Sequence, residues 1–210
     1  IASLCYARFV KNGTPLALVS TDNCSHNGDK LKAGVMAYVD AWKQAGKVDD
    51  DFVSYMEEKV SFPWSMIDKI TPRPDEKVKE MLEKDGFEDT DLIITSRNTY
   101  TAPFVNSEET GYLVIEDNFP NGRPPLEKAG IVFTDRETVD KVEKMKVCTC
   151  LNPLHTALAI YGCMLGHTSI HDEMEDKELS QLIQKMCYEE AMSVVVNPGV
   201  IDPKEFANAV

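Results

Sequence analysis

The sequence lacks several features that would assign it quickly to a class. Its 210 residues contain no Gly-x-Gly, so the glycine-rich fingerprint of a dinucleotide-binding loop is absent. No uninterrupted apolar run approaches the roughly 18 residues of a membrane span, and no signal peptide opens the chain. Basic residues form no cluster, and the formal net charge of -13 repels polyphosphate. We therefore expect neither nucleic acid nor a membrane as a partner.

Cysteine usage excludes a further class. The six cysteines are scattered instead of closely spaced as in a small disulfide-bonded scaffold, which indicates reduced thiols and a cytoplasmic location. The chain length, with 43% hydrophobic residues, allows one large or two small cores. The sequence begins at Ile1 inside a helical pattern and stops soon after a predicted helix start at Pro203, so we expect a piece of a longer chain.

The first part of the sequence has the pattern of an α/β fold. Residues 1–10 are predicted to end a helix, and the apolar run 16–19 is typical of a strand buried in a parallel sheet. A helix is predicted at 29–45, with an apolar stripe formed by Leu31, Val35, Tyr38, Val39 and Trp42. The loop between strand and helix, STDNCSHNG, is a candidate site because ligands of open α/β sheets bind at the carboxyl ends of strands.

The pattern becomes helical after residue 134. A short helix at 75–84 and strands at 92–95, 112–115 and 130–133 are predicted before that point. Thr134 and Glu137 form a predicted capping box, and helices are expected at 135–151, 153–166 and 176–196. We therefore predict a domain boundary near residue 135, with an α/β part at 1–135 and the start of an all-α part at 136–210.

One stretch, EKMKVCTCLNPLHTAL at 143–158, places three polar side chains in an otherwise apolar segment. Because burial lowers the pKa of a lysine from about 10.4 towards neutrality, Lys146 is a candidate general base. Asn152 and His155 are three residues apart, which on a helix places both on one face, where they can address one small polar ligand. The three together indicate alcohol or carbonyl chemistry.

A purely structural interpretation of the same stretch stays open at this point. Asn152 before Pro153 is typical of a helix start, with the asparagine capping backbone N–H groups. Lys146 would then be a solvated lysine and His155 an ordinary helix residue. Similarly, Asp68 lies between apolar neighbours in a proline-rich segment, where a carboxylate either caps, pairs or binds a ligand.

A metal site is a weaker alternative. Cys163, His167 and His171 are spaced four apart and would line up on a continuous helix, but Gly166 interrupts them. A metal-dependent enzyme and a non-catalytic helical interaction module are therefore kept as alternatives from other classes.

Four motifs, in order, resemble those of the polyol-specific long-chain dehydrogenase/reductase family, which includes mannitol dehydrogenases and fructuronate reductases. STDNCSHNG resembles the family's Ser-Cys-Asp-Asn…Asn-Gly loop, and SMIDKITP resembles its Met-Val-Asp-Arg-Ile-Thr-Pro segment. VIEDNFPNGRPPLEKAG is similar to the stretch before the second domain, and MKVCTCLNPLHTAL resembles the Lys…Asn-x-x-His catalytic helix.

The resemblance implies that 1–135 form the carboxyl-terminal part of a Rossmann-like domain. It also implies a metal-independent, NAD- or NADP-linked interconversion of a secondary alcohol and a ketone. The implied roles are a base (Lys146), two amides that hold the developing alkoxide (Asn27 and Asn152), a partner for a neighbouring hydroxyl (His155), a group that orients the substrate (Asp68) and a contact at the nicotinamide end (Asn23).

Two departures from the family pattern carry expectations of their own. Lys146 and Asn152 are six steps apart where the family has five, so we predict a π-bulge or break between Val147 and Pro153 that turns Lys146 back towards Asn152 and His155. The family's glycine-rich unit and its Arg-Phe-x-Asn-Pro and Ser-x-Lys stretches are absent, which implies the middle of such an enzyme.

Within the family, FPNGRPPLE and CLNPLHTAL are most similar to hexuronate reductases, which favours D-mannonate and D-fructuronate as the substrate pair. Mannitol 2-dehydrogenase and mannitol-1-phosphate 5-dehydrogenase activities are the alternatives. A uronate carries a carboxylate that Arg97 or Arg123 could bind, although each is equally consistent with a structural arginine. The sequence fits a small sugar acid or polyol as partner and leaves the oligomeric state open.

Overall fold

A computed structural model describes residues 1–67, 69, 71–107 and 111–209. These residues belong to two units, a first unit of Ile1–Ile67 with Tyr112–Val210 and a second unit of Asp68–Gly111. The first unit has α/β elements followed by helices, so the predicted fold class is confirmed. The boundary predicted near residue 135 falls inside the first unit and stays a prediction.

The first elements of the chain alternate between helix and strand. They are α1 (Ala2–Lys11), β1 (Leu16–Ala17), α2 (Asn27–Gln44), α3 (Asp50–Glu58) and β2 (Val60–Ser61). Strands β1 and β2 pair in parallel, with Leu16 opposite Val60. The predicted helices at 1–10 and 29–45 are confirmed. The strand predicted at 16–19 is present only at Leu16–Ala17, which are half-buried and not buried as expected, and α3 was not predicted. We name residues 20–26, between β1 and α2, the polar loop.

Helices α1, α2 and α3 enclose one core together with β2. Its most deeply buried side chains are Cys5, Val39, Phe52 and Met56. The apolar stripe predicted on α2 wrongly includes Tyr38, which is 65% exposed. Successive residues of a helix are rotated by about 100°, so Tyr38 faces solvent while the adjacent Val39 faces the core.

The second unit carries a short helix and a hairpin. After β3 (Ser65–Met66), which belongs to the first unit, come α4 (Glu76–Lys84), β4 (Ile93–Ile94) and β5 (Tyr100–Thr101). The Asp75 carboxylate caps α4 by accepting from the backbone N–H groups of Lys77 and Val78, which confirms the helix predicted at 75–84. Strands β4 and β5 are antiparallel, and both are exposed.

A three-stranded sheet leads into the helical part of the first unit. Strand β6 (Val114–Glu116) lies between β3, which is antiparallel to it, and β7 (Val132–Thr134), which is parallel. The strands predicted at 112–115 and 130–133 are thus confirmed with shifted ends. The next helix is capped by Asp135, whose carboxylate accepts from Thr138 N–H, and not by the predicted capping box at Thr134.

The remaining described residues are helical apart from short connections. They form α5 (Arg136–Met145), a π-helical segment (Lys146–Leu151), α6 (Asn152–Leu165), α7 (Ile170–Glu175), α8 (Lys177–Lys185), a second π-helical segment (Met186–Ala191), α9 (Met192–Val194) and α10 (Pro203–Ala209). Val142, Met145, Cys150 and Phe206 form the centre of a second core.

The continuous helical run from Arg136 to Leu165 is long and apolar enough to cross a membrane by length and composition alone. Its buried side chains, among them Val139, Val142 and Leu158, pack into the protein's own cores. A core helix of a folded domain passes the same test of length and composition.

Candidate active site

The helix that carries the predicted base changes its winding at that residue. Lys146–Leu151 is π-helical, and the N–H of Asn152 bonds to the carbonyl of Val147, five residues earlier, in place of the usual four. The predicted irregularity between Val147 and Pro153 is therefore confirmed. The extra residue rotates α5 relative to α6 about the helix axis, and Lys146 points into the protein.

Lys146 lies in the dry interior of the first unit. It keeps only 3% of its accessible surface, and its Nζ lies 5.8 Å from the centroid of the Phe206 ring on α10. A ring face attracts a cation by about 0.5–2 kcal/mol, so this contact favours an ammonium at the Phe206 side of Lys146. This position excludes the solvated lysine of the purely structural interpretation.

Asn152 and His155 open α6, one turn apart. Asn152 has helical backbone angles, and the residue at the cap position is Leu151, so Asn152 does not cap the helix as the structural interpretation required. Pro153 occupies the first turn, where its missing N–H has no helical partner in any case. His155 is half-buried and lines a cavity of about 110 Å³ whose other walls are mainly apolar.

Asn27 has a structural role that conflicts with the predicted contact to an alkoxide. It is 1% exposed, and its Nδ2 lies 3.0–3.1 Å from the carbonyls of Ser20, Asp22 and Ser65 and 3.0 Å from the Ser65 hydroxyl. Its Oδ1 accepts from Ser65 N–H at 3.0 Å. Because an amide has two hydrogens and both have acceptors inside the protein, Asn27 fastens the polar loop to β3.

Asn27→Ala is therefore expected to act on stability. It leaves the Ser65 N–H and several buried carbonyls without a partner, each at a cost of about 1–3 kcal/mol. We expect the free energy of unfolding of the full-length protein to fall by at least about 2 kcal/mol, measured by chemical denaturation. Unchanged stability with lost activity would restore the catalytic role predicted for Asn27.

Asn23 is the loop amide that reaches the π-helical segment. It lines a small crevice of about 10 Å³ together with Glu143 and Val147, the latter adjacent to Lys146. Glu143 was not predicted as a site residue, although it lies one helical turn before Lys146. The Ser25 hydroxyl donates to Glu143 Oε1, so this carboxylate also holds the polar loop.

The structure shows different settings for the two predicted arginines. Arg123 donates through Nε and Nη2 to both oxygens of Asp117, at 2.8 and 3.0 Å, and through Nη1 to Glu127 at 2.7 Å. These hydrogen bonds raise the pKa of Arg123 and lower that of Asp117, so Arg123 is a structural arginine. Arg97 is exposed in the β4–β5 hairpin of the second unit. Asp68 lies outside the described residues.

The zinc-site alternative does not fit the geometry. Helix α6 ends at Gly166, which adopts a left-handed backbone (φ 92°), and α7 starts only at Ile170, so Cys163, His167 and His171 do not share one helix face. His167 lies 3.6 Å from Asp176, and the exposed His171 lies 3.7 Å from Glu175. Among residues 1–67, 69, 71–107 and 111–209, no three metal-binding side chains converge.

The fold and the site together define a class: an α/β unit with parallel strand pairs, joined to helices that bury a lysine at the start of a π-helical segment. A comparison with protein families is more specific. Residues 1–128 match the mannitol dehydrogenase Rossmann domain, and the chain belongs to that family.

The relatives agree on this family. A D-mannonate oxidoreductase of Thermotoga maritima is 54% identical over 100% of the chain and 39% of its own length. A mannitol dehydrogenase of Saccharomyces cerevisiae is 30% identical over 97% of the chain and 37% of its own length. The chain thus spans well under half the length of these relatives.

Solved structures show the same relationship. A D-sorbitol dehydrogenase in substrate-free form superposes with a TM-score of 0.77 at 25% identity, over 99% of this chain and 39% of that chain. A Pseudomonas fluorescens mannitol 2-dehydrogenase, in a ternary complex with NAD and D-mannitol, gives a TM-score of 0.69 at 25% identity. This match covers 99% of this chain and 38% of that chain.

Proposed function

We propose that this chain serves in an NAD- or NADP-dependent oxidoreductase that interconverts D-mannonate and D-fructuronate. The observation that carries the proposal is the burial of Lys146 at the start of the π-helical segment, where a base must lie to act without competing water. The 54% identity to a D-mannonate oxidoreductase supports the substrate pair over mannitol, whose dehydrogenases match at about 30%.

The residues of this chain fit only part of a dinucleotide. The polar loop follows the carboxyl end of β1, where ligands of such sheets bind, and its Asn23 is suited to the nicotinamide end. A glycine-rich loop for the pyrophosphate is not among these 210 residues. When bound, the nicotinamide accepts the hydride released from the substrate carbon.

The proton leaves by a separate route. In the oxidation direction, the neutral amine of Lys146 takes the hydroxyl proton while the carbon loses hydride, and the lysine becomes an ammonium beside the face of Phe206. Asn152 donates an amide N–H to the developing alkoxide, and His155 hydrogen-bonds a neighbouring hydroxyl. In place of Asn27, we propose Asn23 as the second amide, because it lines the crevice beside Val147.

A panel of substrates tests the proposal. The full-length protein is assayed with mannonate, altronate, mannitol and mannitol 1-phosphate, each with NAD and NADP. We expect kcat/KM for mannonate to exceed that for mannitol by at least about 10²-fold, because a site built to hydrogen-bond a substrate group discriminates strongly against a substrate that lacks that group. Equal or better oxidation of mannitol or its phosphate would replace the substrate assignment. A cytoplasmic location stays a prediction of the cysteine pattern.

A further inference from the structure

We propose that His26 is a positioning residue for this reaction: it fastens the polar loop to α5, so that Asn23 stays against the segment that starts with Lys146. This inference rests on the proposed function. The backbone of His26 is the first reason to single it out, because it is left-handed (φ 55°, ψ 44°), a conformation that side chains with a Cβ rarely adopt. That conformation turns Asn27 inward while the imidazole stays outside.

Two contacts of the imidazole hold this conformation. Its Nε2 lies 3.1 Å from Asp140 Oδ1 on α5, and its ring stacks on the Trp64 indole, with centroids 4.1 Å apart and planes 14° apart. Hydrogen bonds from Lys144 and His26 lower the pKa of the Asp140 carboxyl, so Asp140 is ionised at neutral pH and can only accept. The imidazole Nε2 therefore carries the hydrogen of this bond. His26 makes no side-chain hydrogen bond that would cap α2, so its side chain serves the contact with α5.

The contact with α5 is one of three along a single stripe of that helix. Arg136 Nη1 lies 3.2 Å from Asp29 on α2, Asp140 meets His26, and Glu143 accepts from Ser25. The spacing 136, 140, 143 is that of one helix face, and its next member is Val147, which lines the crevice with Asn23. The stripe therefore connects the position of the polar loop to the residue that follows Lys146.

Loss of this attachment should weaken catalysis more than folding. The buried hydrogen bonds of Asn27 still hold the base of the loop to β3, so the fold persists. Asn23 and the loop around it would gain freedom relative to Val147. Because a displacement of about 1 Å in a positioned group can lower a rate by about 10²-fold, we expect kcat to respond and KM for the sugar acid to change little.

A double-mutant cycle tests the proposal in the full-length protein. The variants are His26→Asn, Asp140→Asn and the two combined; asparagine is chosen at position 26 because it tolerates the left-handed backbone. Each single change is expected to lower kcat for mannonate oxidation by about tenfold. The double variant is expected to have the same kcat as the less active of the two single variants. His171→Asn, which removes an exposed histidine 3.7 Å from Glu175, is the matched control and should leave kcat unchanged.

A second measurement does not depend on the substrate. Hydrogen exchange of the backbone amides at 20–26 should become faster in His26→Asn and Asp140→Asn, and stay unchanged in His171→Asn. Inactivity of the wild-type protein with every sugar in the panel would refute the proposed function. The exchange rates would still test whether His26 fastens the polar loop to α5. Unchanged exchange in both variants, or independent losses of kcat that multiply in the double variant, would overturn the role of His26.

Discussion

Replacing Lys146 with methionine in the full-length protein is expected to lower kcat for mannonate oxidation by about 10²–10⁴-fold, the contribution typical of a positioned general base. Methionine is flexible, uncharged and of similar length, so it fits the same dry position beside Phe206. The melting temperature of the variant is measured beside its activity, and we expect the folded state to persist because methionine fills the same buried volume. The loss of rate would then report chemistry and not unfolding.

Lys141 provides the matched control on the same helix. Its side chain is 40% exposed and pairs with Glu137 at 2.7 Å on the surface of α5. Surface ion pairs contribute little, so Lys141→Met should keep kcat within about twofold of wild type. Equal rates for the two variants would remove Lys146 from the mechanism.

Gly28→Ala is expected to lower the stability of the protein strongly. A Cβ at this position would lie 2.4 Å from the carbonyl oxygen of Phe62, 2.8 Å from that of Pro63 and 2.9 Å from Cδ1 of Trp64. Backbone atoms cannot move aside as a flexible side chain does, so α2 would have to shift away from the segment before β3. We expect the free energy of unfolding to fall by about 2–4 kcal/mol, with loss of activity because the polar loop moves with α2.

The control for this prediction lies on the same helix. A Cβ at Gly34 would meet nothing within 4 Å. Because glycine in a helix is less favourable than alanine, Gly34→Ala should raise stability by about 0.5–1 kcal/mol. Thermal and chemical denaturation of both variants measure the difference. Equal stability of the two alanine variants would mean that α2 is not in close contact with the segment before β3.

The winding of the catalytic helix could be predicted from a count of residues. Six steps between Lys146 and Asn152 where the family has five, followed directly by Pro153, require one extra residue in the helix, and the structure places it in Lys146–Leu151. The order of most strands and helices could be predicted from the spacing of the apolar residues. Helix α3 was missed although Asp49 caps it and Phe52, Tyr55 and Met56 have helical spacing.

The roles of the loop asparagines could not be predicted from spacing. Asn23 and Asn27 belong to one motif, and the choice of which amide turns inward is made by the left-handed backbone of His26. No periodicity signals that conformation, because histidine adopts it only where tertiary contacts hold it. Arg123 differs: Glu127 stands four residues after it, the spacing of a local ion pair, and this signal, which the sequence analysis did not use, points to the ion pairs that the structure shows.

Chemical rescue of Lys146→Ala is the most direct test of the claim that a dry amine is the base. Small primary amines added to this variant should restore part of the lost rate of mannonate oxidation, and the restored rate should rise with the basicity of the amine, because proton transfer follows Brønsted behaviour. The Lys141→Ala variant should not respond to the same amines. A wild-type rate in Lys146→Ala, or a lost rate that no amine restores, would contradict the account.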